Sequence, residues 1–581
     1  MSGSRRGVHA REASEGSRSS WGTYRWLASV LGRRLWPVAA LCAAQSLTAV
    51  IAVGYALFMK GAVDAAVARD AGRFLTVVSG FAAAVAAQVA LGALSRAVNE
   101  RARADVENRL RSRAFDVLLR ADYARVSSRH TGELMSRLTS DASVVTEGVV
   151  ALPPNACSMA IRIVGVAAVM WALQPALTVL FLLAGVALAC GSMLVRGRVK
   201  RMHHRVQEAD GRVRAFLQEA LSSLIVVRVF GAREAMERGA GTLMEGHRRA
   251  RVRRGNVSNA ASTALSLGLQ AGYLIGFVWC GWGIVRGTVS YGTLMAVVQL
   301  VGQIQRPFSS MGGMFQRHAS ALASAERLIA LEDDVPCERG RMDAADADAC
   351  RAGLASLRFD GVGFGYDGRS VLRGFDWEVR RGEFVAVTGE SGVGKSTLLR
   401  LLVGAYRPDV GSVTAVVSDG GGERRVDVRD LPQGMFAYVP QGNMLMAGTI
   451  RQVVAFAQGD MPVDDERVRR ACEAAEADAF VRALPDGYDT VLGERGRGLS
   501  EGQMQRLAVA RALYAQAPVI LFDEATSALD EGTETRMLDN IRAMRDRTVV
   551  MVTHRGHTLD YCDRVVELAP PESNASAARV V

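Results

Sequence analysis

The stretch Gly389-Glu-Ser-Gly-Val-Gly-Lys395-Ser396 lies between an apolar, strand-like run, Glu383 to Thr388, and a helical one, Thr397 to Val403. A glycine-rich turn that leaves a strand and opens a helix lets backbone N–H groups face inward around phosphate oxygens. Lys395 then reaches the β- and γ-phosphates of a nucleoside triphosphate, and the Ser396 hydroxyl is positioned to ligate Mg²⁺. The expected contacts to ATP come from Gly389, Glu390, Ser391, Gly392, Val393, Gly394, Lys395, Ser396 and Thr397.

Downstream, Val519-Ile-Leu-Phe-Asp523-Glu524 reads as a buried strand ending in two acids, beside the phosphate site of a P-loop protein. Asp523 would hold Mg²⁺ through water, and Glu524 would orient and deprotonate the attacking water. Without the P-loop, two acids at a strand end would read as a helix cap. Gly363-Phe-Gly-Tyr-Asp-Gly368 matches the dinucleotide pattern GxGxxG, but the following Arg369 to Val379 alternates like a strand. The glycines are therefore expected to make a turn, with Tyr366 available to stack on adenine.

Upstream are six long apolar segments, approximately 35 to 58, 74 to 95, 148 to 173, 175 to 195, 262 to 285 and 288 to 312. Each approaches the roughly 20 apolar residues that cross a bilayer, so they predict six transmembrane helices rather than a buried soluble core. Stretches 96 to 129, 196 to 214 and 247 to 254 are dense in arginine, whereas the loops at 172 to 174 and 286 to 287 are short. The positive-inside rule puts the arginine stretches in the cytoplasm, together with both termini and the P-loop. The expected location is the inner (cytoplasmic) membrane. The formal net charge of +11 is thereby explained by topology, with no nucleic-acid partner implied.

The predicted fold is a multidomain membrane protein: an all-α six-helix transmembrane domain followed by an α/β P-loop NTPase domain. Residues 1 to 20 are polar and basic, with no apolar core of a signal peptide, and are expected to be disordered. The transmembrane domain runs over 21 to 331, a polar linker over 332 to 352, the ATPase domain over 353 to 569 and a C-terminal tail over 570 to 581. Trp21, Tyr24, Trp26, Leu27 and Leu31, with Arg25, Arg33 and Arg34, fit either an amphipathic interfacial helix or an extension of the first span. The eight cysteines form no CxxC pair, which predicts neither a metal site nor a disulfide framework. The adjacent His203 and His204 fit a solvated helix face.

Leu499-Ser500-Glu501-Gly502-Gln503, followed by Arg506, resembles the LSGGQ signature of ATP-binding cassette transporters. Gln441 in YVPQGN is similar to the Q-loop, Ser527-Ala528-Leu529-Asp530 to the D-loop, and His554 in VTHR to the switch histidine. Leu492-Gly-Glu-Arg-Gly496 resembles the loop by which exporter-type cassettes touch the membrane domain. GELMSRLTSD at 132 to 141, the region around Glu219 and SAERL at 324 to 328 resemble cytoplasmic-loop and last-helix patterns of exporters.

The resemblance implies a half-transporter that pairs with a second half, a copy of itself or a different chain. ATP would be sandwiched between one P-loop and the partner's signature, with Gln441 beside Mg²⁺ and with Glu524, His554 and Gln441 catalytic. One departure is Glu501, where the family has glycine. A carboxylate at a helix N-terminus gains about 0.3 to 1 kcal/mol, which predicts tolerance; weakened ATP sandwiching is the alternative.

The mechanism implied is outward alternating access across the lipid bilayer of a small amphipathic molecule, lipid or peptide. The alternatives are import, for example of a siderophore, and a membrane sensor that moves no solute. Arg162, Gln299 and Gln303 are polar positions inside spans, with the two glutamines one helical turn apart. They are expected to line the substrate pathway; the alternatives are interhelical hydrogen bonds, or an Arg162 at the cytoplasmic end. The Ala-rich Phe81 to Ala87 is read as a surface for close helix packing.

Overall fold

The computed structural model describes residues 20–333, 344–366, 368–418, 422–456, 462–493, 496, 498–544, 546–569 and 578–580. The expected disordered tail thus lies outside the described residues, as do the middle of the linker and most of the C-terminal tail. The chain divides into two compact units, Met1–Val117 with Thr131–Asp333, and Leu118–His130 with Asp334–Val581.

The first unit is helical. A helix α1 (Ser20–Leu31) and a 3₁₀ turn (Gly32–Leu35) precede α2 (Trp36–Val67), so the aromatic segment forms an element separate from the first span. It is pinned by side chains: Trp26 Nε1 donates to Glu332 Oε2 at 2.8 Å, and Arg109 Nε donates to the Val30 carbonyl at 2.7 Å. Next come α3 (Ala71–Arg120), α4 (Leu152–Leu173), α5 (Pro175–Ser222), α6 (Arg233–Val285) and α7 (Tyr291–Asp333).

All six expected spans fall on α2 to α7. Among the described residues, four helical runs are long and apolar enough to cross a membrane: 36–67, 71–120, 131–173 and 233–285. A single residue separates α4 from α5. Gln174 (φ −151°, ψ 84°) is held out of the helical region by Pro175, which itself opens the next helix without losing a needed donor.

The helices pack α5 on α6 and α2 on both α4 and α7, around a core of Val53, Val166, Met170, Leu177 and Leu300. Small residues permit that approach: a Cβ on Gly165 would lie 3.3 Å from Val53 Cγ2, and one on Gly148 would overlap the Ala321 side chain. The alanines of Phe81–Ala87 do not serve this purpose within the chain. They lie on α3, whose most apolar window is 0% buried, so close packing belongs to the glycines named above.

Two motif stretches of this unit meet. Arg327, from SAERL, donates through Nε and Nη2 to both oxygens of Asp141, from GELMSRLTSD, at 2.9 and 2.5 Å.

The second unit carries a helix α8 (Ala344–Gly353) at the end of the expected linker, then β1 (Leu354–Tyr366) and β2 (Arg369–Arg380). These strands form an antiparallel hairpin, so Gly363–Gly368 ends a strand and turns, with no helix following. With β4 (Val410–Ser418) and β5 (Glu423–Asp427) they make a sheet ordered β2-β1-β4-β5, and β7 (Gly448–Thr449) and β8 (Val491–Leu492) pair apart as a two-stranded ribbon.

The main sheet is ordered β12-β11-β3-β10-β9-β6, from β3 (Phe384–Gly389), β6 (Phe436–Val439), β9 (Val519–Asp523), β10 (Thr548–Val552), β11 (Arg564–Leu568) and β12 (Ala578–Val580). Its strands run parallel except β12, which pairs antiparallel to β11 from within the expected C-terminal tail. Parallel strands need both faces covered, and these have it. Phe359, Phe375, Val385 and Leu398 fill one side, and Leu507, Phe522, Met537 and Val549 fill the other.

Candidate functional site

The phosphate loop leaves β3 and enters helix α9 (Lys395–Leu402). Gly392 and Gly394 hold φ of 84° and 111°, and a Cβ on Gly394 would collide with Val371, so the turn requires glycine there. Lys395 is 7% exposed, and its Nζ donates to the Gly389 and Glu390 carbonyls at 2.8 Å each. Burial lowers the pKa of this ammonium, and the Glu524 and Asp523 carboxylates oppose that shift. Val393 anchors the loop in the apolar core, while Glu390 and Ser391 stay exposed.

The next strand but one, β9, delivers Asp523 to the start of α9. Ser396 Oγ donates to Asp523 Oδ1 at 3.0 Å, and Tyr438 OH donates to Oδ2 at 3.0 Å. Burial pushes the Asp523 carboxyl above its ordinary value, and both donors counter this. Burial and the Asp523 charge together push the Tyr438 phenol far up. A hydroxyl and a carboxylate converging at this distance are hard oxygen donors that fit a divalent cation bound with its waters.

Glu524 follows at φ 55°, a left-handed conformation that costs of order 1–3 kcal/mol and turns its side chain away from the strand direction. Its Oε2 accepts from Gln441 Nε2 at 3.0 Å, and His554 Nε2 stands 3.8 Å from Oε1. The structure therefore joins Ser396 to Asp523 and Gln441 to Glu524. Gln441, expected both beside the cation and among the catalytic groups, is bonded to the second acid. Tyr366 OH lies 3.1 Å from Thr397 Oγ1, and its ring meets Phe364 and Tyr406 edge to face at 5.1 and 5.7 Å.

The signature opens helix α10 (Glu501–Tyr514) as expected. Ser500 and Gln503 form a reciprocal capping box: Gln503 N donates to Ser500 Oγ and Ser500 N donates to Gln503 Oε1. Glu501 is the exposed first residue, and Leu499 packs against the helical side of the core. A Cβ on Gly502 would sit 3.0 Å from the Ala528 carbonyl oxygen, so the signature lies directly on the D-loop. Gln505 bridges the two, donating to Ser527 Oγ at 3.0 Å and accepting from Ala528 N at 2.9 Å. Asp530 caps helix α11 (Glu531–Arg542) through Thr533 N. Of the loop at 492 to 496, Glu494 and Arg495 lie outside the described residues.

The segment Leu118–His130, between α3 and the rest of the membrane unit in the chain, belongs to this second unit. Its short helix Tyr123–Ser127 is capped by Asp122, Ala124 packs on the intersheet core, and the Tyr123 ring lies 5.9 Å from Tyr406. Tyr438, Gln505, Tyr406 and this segment are contacts that sequence reasoning missed. Alternation along β6 separates Tyr438 from Ala437 and Val439, but only sheet order makes β9 its neighbour.

In the membrane unit, Gln303 Nε2 donates to the Ala52 carbonyl of α2 at 2.6 Å, an interhelical bond. The Oε1 atoms of Gln299 and Gln303 are buried with no hydrogen-bond partner among the described residues. Arg162 is half-buried on α4.

The family model for the ABC transporter transmembrane region matches residues 38–308, and the ABC transporter model matches residues 372–527. An ATP-dependent lipid A-core flippase of Chromohalobacter salexigens is 30% identical over 481 residues, covering 81% of this chain and 79% of that protein. The chain belongs to the ABC transporter family. This transporter chain is also 32% identical to a multidrug efflux ATP-binding/permease protein of Mycobacterium bovis, covering 89% of this chain but 43% of that protein. Among solved structures, a bacterial Atm1-family ABC exporter with ATP bound matches with a TM-score of 0.74 and 28% identity, over 93% of this chain and 94% of that one. The chain is thus a half-transporter, with one membrane domain and one ATPase domain fused, and an ATP hydrolase coupled to transport.

Proposed function

We propose that the protein exports a small amphipathic molecule, lipid or peptide by alternating access, as one half of a dimer that binds MgATP. The observation that carries the hydrolytic part is the pairing of Gln441 and His554 around Glu524 beside the Ser396–Asp523 pair. Glu524 would accept the proton of the attacking water, Gln441 would hold that carboxylate in register, and His554 would steady the γ-phosphate. Ser396 and Asp523 would hold Mg²⁺, which draws charge from the β- and γ-phosphates. Tyr366 would stack on adenine.

A second half is supported by exposed apolar surface where no lipid is expected. Leu221, Ile225, Val229 and Phe230 are 69–79% exposed around the short helix Leu224–Val229, which follows the arginine-rich part of α5. Apolar side chains in water on this scale call for a protein partner. The signature of each half would then complete the other's nucleotide site. The exporter relatives support outward transport, and the arginine-dense stretches support an inner-membrane chain with its ATPase unit and both termini in the cytoplasm. Gln299, with Arg162, would line the pathway; unchanged transport in Arg162→Ala with Gln299→Ala rejects that assignment.

The deciding experiment is ATP hydrolysis by the chain purified alone into lipid, against Glu524→Gln. Activity that vanishes in the variant supports a homodimer with Glu524 as its base. Inactivity of both points to a different chain as the second half, and activity surviving in the variant removes Glu524 from the proposed role.

A further inference from the structure

Glu534 lies in the first turn of α11, outside every motif of the nucleotide site, yet its side chain is 0% exposed. An isolated buried carboxylate is costly, and this one is fully engaged. It accepts from Arg555 Nη1 at 2.6 Å and from Thr558 Oγ1 at 2.9 Å, and His557 Nε2 lies 2.8 Å away. Arg555, His557 and Thr558 follow directly on His554, and Thr526, just before the D-loop, bonds the same carboxylate. Arg555 has a second set of contacts. Its Nη1 also donates to the Leu529 carbonyl at 2.9 Å, and its Nη2 to the Ser527 carbonyl at 2.6 Å, both in the D-loop. The D-loop is in turn bonded to Gln505 of the signature helix.

We propose that Glu534 is a positioning residue that, through Arg555, locks the switch-histidine loop to the D-loop and signature as one body. The physical reason is the fork of Arg555. A guanidinium must be aimed to serve two backbone carbonyls at once, and a fixed carboxylate behind it supplies the aim. A body of this kind ties His554, which faces the chain's own Glu524, to Ser500 and Ser527 on the signature and D-loop side. Movement on one side is then felt on the other without contact between Glu534 and nucleotide. This inference rests on the ATPase chemistry above, and its test includes a measurement independent of turnover.

The test uses the full chain in lipid with whatever second half it retains on purification, comparing the native protein with Glu534→Gln, Arg555→Lys and the Glu534→Gln/Arg555→Gln pair. Amide hydrogen exchange of segments 526–530 and 553–558 is read first, without nucleotide. The expected result in Glu534→Gln and Arg555→Lys is faster exchange of both segments together, with the P-loop segment 389–396 unchanged. In ATP hydrolysis, kcat is expected to fall about tenfold or more while the KM for ATP stays within about threefold. The neutral pair should regain thermal stability but not kcat, because the carbonyls remain without their aimed donor.

A general structural role predicts instead that exchange rises throughout the core, that kcat falls only with the folded fraction, and that the neutral pair regains both. That outcome overturns the proposal, as does native exchange and kcat in Arg555→Lys, the variant that keeps the charge and the fold even if Glu534→Gln does not. If Glu524→Gln leaves hydrolysis intact, the catalytic assignment fails separately while the exchange result still decides the role of Glu534.

Discussion

Replacing Tyr438 with phenylalanine deletes one oxygen atom and leaves the ring that fills the space beside β9. The deleted hydroxyl donates to Asp523 Oδ2 at 3.0 Å, leaving only the Ser396 donor at 3.0 Å on the other oxygen. Asp523 is 1% exposed, so water does not replace the lost donor. A hydrogen bond to a charged group contributes about 1.5–3 kcal/mol, so losing it disfavours the charged carboxylate. The sign is upward, because burial already raises this carboxyl and Tyr438 is one of the groups holding it down. Protonated Asp523 cannot hold Mg²⁺. The acid limb of ATP turnover in Tyr438→Phe should therefore move to higher pH when Mg²⁺ is limiting, with turnover on that limb falling by about tenfold or more. At saturating Mg²⁺ the cation competes with the proton and the two profiles should converge. The assay is steady-state hydrolysis from pH 5 to 9 at two Mg²⁺ concentrations, on protein in lipid. Profiles at limiting Mg²⁺ that coincide to within about 0.3 units would refute the assignment of Tyr438 as a functional donor to Asp523.

Asp141→Asn should destabilise the membrane unit, since the nearly buried carboxylate is the bidentate partner of Arg327. Breaking a fully buried pair costs about 3–5 kcal/mol; with Arg327 half exposed, solvent screening reduces this to about 1–2, read as faster thermal inactivation. Arg327→Lys should show part of the same loss, because an ammonium cannot bridge both oxygens. Glu501→Gly should leave the ATP half-saturation within about threefold of native, because the Ser500–Gln503 capping box remains and the lost carboxylate is worth only about 0.3–1 kcal/mol. Burial alone would raise the Glu534 pKa, but hydrogen bonds from Thr526, His557, Thr558 and Arg555 outweigh it and hold it below the usual carboxylate range. Its stabilising contribution is then complete above the unfolded value of about 4.3 and is lost as pH falls through the lower folded value. Glu534→Gln should flatten the acid side of the thermal-stability profile.

The nucleotide site was legible where chemistry is local. Nine of the expected ATP contacts, Gly389 to Thr397, are consecutive in the sequence, and the glycines among them have the dihedrals that a phosphate cradle needs. The partnership of Ser396 with Asp523, 127 residues apart, could be read because a motif stands at each end. Tyr438, Gln505 and Glu534 could not. Each acts through a neighbour chosen by sheet order or by the approach of α10 to the D-loop, and nothing within a few residues of any of them encodes that neighbour. The same limit applied in the membrane unit. Hydropathy located the spans and a short loop at 172 to 174, but the narrowing of that loop to Gln174 alone, and α1 as a separate element pinned by Trp26 and Arg109, are set by contacts and dihedrals that hydropathy does not carry.

Gln299 separates a packing role from a transport role by sign. Its Oε1 is buried without a partner among the described residues, whereas the other glutamine one turn on has at least its amide nitrogen engaged with Ala52. An unsatisfied buried acceptor costs about 1–3 kcal/mol, so Gln299→Met, which keeps the length and removes the polarity, should make the protein more resistant to thermal inactivation. If packing were its only duty, that gain would come without change in function. If the oxygen waits for a donor on the transported molecule, substrate-stimulated ATP hydrolysis should fall as stability rises, with basal hydrolysis unchanged. Greater stability at the expense of stimulation is the combination that a pathway role for Gln299 requires. Greater stability with full stimulation would assign Gln299 to packing and move the search for the pathway to Arg162.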